Sequence, residues 1–209
     1  MLPSFCLGII YYPPTPFLFS IWSVHNSVLF VAAIGVSGSG KTTTIEYLIQ
    51  RFTKLGYRVG AVKHIHHEGF TIDTQGKNTW RFSHAGAKVV VAVSPREIAV
   101  IKKTEQELAD LDKILDILKE EELDVAFVEG LHWLIAKRSD IAKIVAAKDM
   151  EGLKTILEGT VEPIIGVTGV IAKNSEHPSF GDLNFIKIPE DGEILVKKIV
   201  ELMHKPKGS

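Results

Sequence analysis

Hydrophobic residues along this chain fall into two textures, short unbroken apolar runs and longer stretches with a helical repeat. Leu29–Val36 (LFVAAIGV) is nearly continuous in apolar residues, the pattern of a strand buried on both faces of a parallel sheet. Thr42–Leu55 follows, with Ile45, Leu48, Ile49, Phe52 and Leu55 spaced along one helix face, and Gly56 supplies a stop. Tyr57–Lys63 reads as a second strand, and Val89–Ser94 with Glu97–Lys102 as a strand pair turned at Ser94-Pro95. Thr104 and Glu107 form a capping box opening a helix that carries Leu108, Leu111, Ile114, Leu115 and Leu118 on one side. Val125–Val128, Ile141–Ala147, Ile164–Val167 and Phe185–Ile188 are further strand candidates, and Asp191 is placed to cap a final helix ending near Met203.

This alternation of β and α with short connections predicts an α/β fold: a mostly parallel sheet flanked by helices in three layers, plus a small β-hairpin. A chain of 209 residues is long enough for one good core and too short for two, so residues 29–209 are expected to form one domain. Residues 1–28 stand apart. They are apolar, contain Pro3, Pro13, Pro14 and Pro16, and lack Asp, Glu, Lys and Arg. A secretory signal needs a basic n-region, yet the first Lys is Lys41, and the prolines interrupt any spanning helix. The segment reads as a disordered or accessory extension, a start assigned too far upstream being the alternative.

The formal net charge of −1 supplies no global basic field, so nucleic acid is not the expected partner, nor is a membrane. Cys6 is the single cysteine and excludes an intramolecular disulfide, in keeping with a cytoplasmic protein.

Between the first strand and the first helix lies Gly35-Val36-Ser37-Gly38-Ser39-Gly40-Lys41-Thr42, which satisfies G-x-x-x-x-G-K-[ST] in full. Gly35, Gly38 and Gly40 let the backbone turn tightly, so that successive N–H groups, with Ser37, Ser39 and Thr43 flanking them, form an anion nest at a helix N-terminus. Lys41 is expected to reach the β- and γ-phosphates and the Thr42 hydroxyl to bind Mg²⁺. The stretch resembles the phosphate loop of the P-loop NTPases. Glu129 ends a neighbouring strand at the edge facing the phosphates, where a carboxylate can hold Mg²⁺ or orient a water. Asp124, at the other end of that strand, is the weaker candidate.

Lys63-His64-Ile65-His66-His67-Glu68 ends the second strand at the same edge. In extended chain His64 and His66 share a face while His67 points away, so contacts to nucleotide, substrate or partner fit better than a transition-metal site. GVSGSGKTT, VKHIHHEGFTID, GKNTWRFSHAGA and DVAFVEG, in that order, resemble the molybdopterin-guanine dinucleotide biosynthesis protein B (MobB) family over roughly residues 29 to 204. The resemblance implies a GTP-binding, weakly GTP-hydrolysing homodimer, with GTP and Mg²⁺ as ligands. Such a protein assists a MobA-type guanylyltransferase in attaching GMP to molybdopterin. It implies phosphate and Mg²⁺ roles for Gly35, Gly38, Gly40, Lys41 and Thr42, places Asp73 and Lys77 beside the phosphates, and gives Glu129 the Mg²⁺ side. Asn78 and His132 depart from the family's usual Asp and Lys; an amide cannot serve as a base, which puts a hydrolytic role there in doubt.

Two other readings stay open at this level. A P-loop small-metabolite kinase would need a lid carrying several arginines, and only Arg81 and Arg138 fall in loops that could form one. A GTPase metallochaperone would use His64, His66 and His67 as a metal relay, but its guanine-reading N-K-x-D motif is absent; Thr168 to Asn174 is where base recognition is expected instead.

Overall fold

The computed structural model describes residues 28–67, 69–104, 110–174 and 179–205. Residues 1–27, Glu68, Glu107 of the expected capping box and Leu108 of the helix it would open lie outside them. Five strands form the central sheet: β1 (Leu29–Ile34), β2 (Val59–Lys63), β5 (Val125–Glu129), β6 (Ala142–Ala146) and β7 (Ile164–Thr168), in the order β2-β5-β1-β6-β7. Every pairing is parallel. Strands β3 (Val89–Val93) and β4 (Ile98–Lys102) form the separate antiparallel hairpin that the sequence predicts, and β8 (Ser179–Phe180) and β9 (Leu183–Asn184) form a second, very short one.

Side chains alternate across β1, and each set meets its own helix layer. Phe30, Ala32 and Ile34 face a cluster with Leu111 and Leu115 of α3 (Leu111–Lys119), Ile135 of α4 (His132–Ile135), Leu153 and Ile156 of α5 (Met150–Glu158), and Ile171 of α6 (Val170–Asn174). Val31 and Ala33 face the other cluster, built on Ile45, Leu48 and Phe52 of α1 (Lys41–Lys54) and Leu195, Val196 and Ile199 of α7 (Glu193–His204). Phe52 meets Phe127 edge-on at 5.6 Å, locking α1 onto β5. The remaining helix, α2 (Asn78–His84), buries no residue in either core.

The chain departs from the predicted elements in three places. Helix α3 starts at Leu111, capped by the Asp110 carboxylate, which accepts from Lys113 N–H at 3.4 Å. Phe185–Ile188 is not a strand: Phe185 makes one isolated parallel bridge to Val167, and Pro189, with no N–H to give, prevents a ladder from extending. Asp191 does not cap α7 with its side chain; its main-chain carbonyl accepts from Ile194 N–H at 3.0 Å.

Strand order decides where a ligand can sit. From β1 the chain leaves on one side toward β2 and β5, and returns on the other through β6 and β7. The carboxyl end of β1 is therefore the switch point, a crevice left open between diverging connections.

Candidate phosphate-binding site

The loop from Gly35 to Gly40 fills that crevice. Gly35 has φ +151°, and a Cβ there would stand 2.1 Å from the Ala146 carbonyl oxygen, so only glycine lets β1 turn so close to β6. Gly40 caps α1 in the left-handed region (φ 103°), with no side-chain cap and no acidic residue in the first turn. Ser39 N–H closes a turn on Val36 O at 3.3 Å; among the described residues, the amides of Ser37, Gly38 and Gly40 have no acceptor. Unpaired amides at a helix N-terminus make an electropositive nest.

Lys41 lies across the mouth of this nest, its ammonium donating to the carbonyls of Gly35 (3.0 Å) and Val36 (2.7 Å). Burial holds its pKa below the usual lysine range; Glu129 pulls it back up, and Lys63 and Lys148 push it further down. A polyphosphate would relieve that penalty.

Across the crevice, the Thr42 hydroxyl donates to the Glu129 carboxylate, 3.1 Å from either oxygen. Glu129 is only 6% exposed at the end of β5, and its buried charge is balanced by an ion pair to Lys63 of β2. Thr42 and Glu129 are hard oxygen donors on one side of the nest, the donor set that suits Mg²⁺ completed by water and phosphate oxygens. Bound there, Mg²⁺ would neutralise charge on the terminal phosphates.

A cavity of about 410 Å³ opens above the loop, lined by Gly35, Ser37, Gly38, Gly40, Lys41, Thr42 and Thr43, and walled by Lys63, His64, His66, Glu129 and Gly130. Most of the site residues singled out in the sequence thus lie in one place. Ser39 is fully buried beneath the loop rather than on the cavity wall. His64 and His66 stack edge-on at 4.1 Å, and Nδ1 of His64 is buried without a partner. Burial first, then His66 and Lys63, lower the His64 pKa, keeping the ring neutral at physiological pH. His67, Asp73 and Lys77 do not line the cavity. Asp73 accepts from the Thr79 hydroxyl at 2.7 Å, and Lys77 stands at the N-cap of α2. Among the described residues no group of three or more His, Cys, Asp or Glu side chains gathers to hold a metal ion. Asp124, the weaker candidate, accepts from Arg58 N–H at 2.7 Å, far along β5 from the cavity.

The β6–β7 side of the loop was less legible. Gly169 (φ +95°) wedges against it so tightly that a Cβ would sit 2.1 Å from Ser39 O, and Val170 N–H donates to that same oxygen at 3.3 Å. The Thr44 and Thr168 hydroxyls meet at 3.0 Å beneath it, so the segment expected to read the base does begin beside the phosphate loop. Lys148, two residues beyond β6, brings its side chain against Gly38: a Cβ built on that glycine would lie 3.6 Å from Nζ. The available signal was positional, a lysine immediately following the apolar run Ile141–Ala147 at the ligand edge of the sheet.

Known proteins agree with this architecture. The family model described as molybdopterin guanine dinucleotide synthesis protein B matches residues 29–168. The molybdopterin-guanine dinucleotide biosynthesis adapter protein of Escherichia coli (strain K12) is 32% identical over 173 residues, 82% of this chain and 91% of that protein. The probable adapter protein of Bacillus subtilis (strain 168) is 27% identical over 148 residues, 70% of this chain and 78% of its own length. The crystal structure of Bacillus subtilis MobB shares the fold with a TM-score of 0.64 at 23% identity, covering 86% of this chain and 99% of that one. From the phosphate loop to the end of β7, sequence and fold agree: this chain belongs to the MobB family, whose curated relatives are adapter proteins of molybdopterin-guanine dinucleotide biosynthesis.

Proposed function

We propose that this chain is a GTP-binding adapter of molybdenum (or tungsten) cofactor biosynthesis that assists a MobA-type guanylyltransferase in attaching GMP to molybdopterin, in the cytoplasm. The observation that carries this reading is the cavity itself: unpaired main-chain amides and the Lys41 ammonium on one wall, Thr42 and Glu129 on the other. That arrangement is complementary to a nucleoside triphosphate with Mg²⁺.

Hydrolysis is weak and Mg²⁺-dependent in this reading, for a structural reason. Among the described residues Glu129 is the only carboxylate lining the cavity, and both its oxygens are already engaged by Thr42 or Lys63. A base held in that way has little capacity to take a proton from water. Nor does any arginine line the cavity among the described residues. Arg138, one of the two lid candidates, is tied to Asp112 (3.0 Å) and Asp140 (2.6 Å), which counts against a kinase.

The chain acts as a homodimer in this reading. Register pairs Val91 with Val100 and Val93 with Ile98 on one face of the β3–β4 hairpin, and these four residues, with Val89, are all about half exposed or more. An exposed face of five β-branched residues is suited to a second copy of itself. Asp73, Lys77 and His67 belong to the neighbouring segment and contribute to nucleotide, dimer or transferase contacts.

The test is reconstitution. A MobA-type transferase supplied with GTP, Mg²⁺ and molybdopterin should form the dinucleotide faster with this chain than without it, and Lys41→Ala should abolish the gain. An equal rate in all three mixtures would contradict the adapter role.

A further inference from the structure

The nucleotide site has a cation on each flank, and among the described residues only one of them has a partner. On the β5 flank, Lys63 is neutralised by Glu129. On the β6 flank, Lys148 is exposed and makes no ion pair or hydrogen bond with any described residue. Its neighbour Asp149 does not compensate it, because that carboxylate caps α5 by accepting from Gly152 N–H at 2.8 Å. The lysine nevertheless stays close to Gly38, and its charge is felt at Lys41. Two ammonium groups facing one set of unpaired amides repel each other unless an anion lies between them.

The position of Lys148 indicates which part of that anion it meets. Lys41, Thr42 and Glu129 mark the end of the site that takes the terminal phosphate and Mg²⁺. Lys148 lies across β1 from Glu129, because β5 and β6 flank that strand on opposite sides. It approaches the loop at Gly38, in the run of main-chain amides that in a phosphate loop of this pattern cradles the α- and β-phosphates, while the lysine of the motif reaches the β and γ. The anchorage is firm: Ala147 N–H donates to Thr168 O, and Ile171 N–H to Ala147 O, both at 3.1 Å, holding the residue before Lys148 between β7 and α6.

We propose that Lys148 is a nucleotide-binding residue that pairs with the phosphate nearest the nucleoside, gripping the part of the ligand that a diphosphate and a triphosphate share. This rests on the reading of the loop as a nucleotide site. It leaves Lys41 and Glu129 to distinguish triphosphate from diphosphate.

Calorimetric titration of GTP and GDP into wild type, Lys148→Ala, Lys148→Arg and Lys41→Ala tests it. Lys148→Ala should lose about fivefold to tenfold in affinity for both nucleotides alike, the effect of one partly solvated charge-assisted contact. Lys148→Arg should retain most of the affinity, and thermal unfolding should be unchanged in both, since the exposed side chain makes no hydrogen bond or ion pair with any described residue. Wild-type affinity in Lys148→Ala alongside weakened Lys41→Ala would overturn the proposal and leave the site standing. A loss confined to GTP would also overturn it, by moving the lysine to the terminal phosphate. Unaltered binding in Lys41→Ala would instead sink the nucleotide reading itself.

Discussion

The hydroxyl of Thr42, in the first turn of α1, donates to the carboxylate of Glu129, at the end of β5, over 3.1 Å and across 87 positions of sequence. One residue comes from the phosphate loop and the other from an adjacent strand, so the contact exists only when the sheet is assembled in the order β2-β5-β1. It brings two hard oxygen donors together beside the phosphate loop, a pair that would suit a divalent cation.

If Thr42 and Glu129 share a Mg²⁺, Glu129→Gln should remove most of the metal's effect on triphosphate binding. The gain in GTP affinity on adding Mg²⁺ should shrink by about tenfold or more, as a charged acceptor becomes a neutral one. Binding without Mg²⁺ should change little. Titrations with and without Mg²⁺ measure both, and an undiminished Mg²⁺ effect would remove Glu129 from the metal side.

Gly169→Ala should destabilise the fold by about 2–4 kcal/mol, combining left-handed strain with overpacking against Ser39 O and Ala147 O. Gly56 offers the control. It also has a left-handed φ (+88°), but a Cβ there meets nothing within 4 Å, so Gly56→Ala should cost only about 1 kcal/mol. Urea midpoints of the two variants report the difference, and equal midpoints would show that the contact between the β7–α6 turn and the phosphate loop adds nothing.

Acid should weaken the protein through His132, a half-buried ring 3.4 Å from the Thr160 hydroxyl. Burial lowers its pKa from the ordinary 6.5. Below that value the unfolded chain takes up the proton first, so the stability present above pH 6.5 is lost as pH falls toward the lowered folded value. His64 has the same sign. Melting temperatures across this range should fall less steeply for His132→Phe than for wild type, and identical slopes would exclude His132 as a contributor.

Val91→Glu together with Val100→Glu places two like charges on the exposed hairpin face, directly opposite each other in register. The dimer reading predicts a shift to monomer in sedimentation velocity with the melting temperature retained, because both residues are more than half exposed. Sedimentation matching wild type would exclude this face as the dimer contact.

The fold was legible wherever burial imposed a period. Leu29–Ile34 and Val125–Glu129 read as strands because both faces of each are covered, and α1 read as a helix because one face packs on the sheet. Helix α5 was missed although Leu153 and Ile156 lie three apart behind a capping Asp149, since nine residues give the pattern little length to register. Helix α2 has no apolar period to find, because it buries nothing. At the site, a local motif revealed the loop, and strand ends pointed to Glu129, Lys63 and the histidines. Lys148 and Gly169 were not identified because their roles arise from packing of β6 and β7 against the loop, between residues more than a hundred positions apart in sequence.

Calorimetric titration of GTP and ATP, each with Mg²⁺, into wild type and Lys41→Ala tests the polyphosphate pocket most directly. Lys41 should carry a desolvated charge-assisted contact, so its removal should weaken triphosphate binding by at least about tenfold. The effect should also depend on pH: wild-type affinity should fall at alkaline pH values below the usual lysine range of 10.5, as the ammonium with its lowered pKa loses its proton, and this fall should vanish in Lys41→Ala. Tight GTP binding that fails in the variant is the expected result; triphosphate binding of equal strength in both proteins would contradict it.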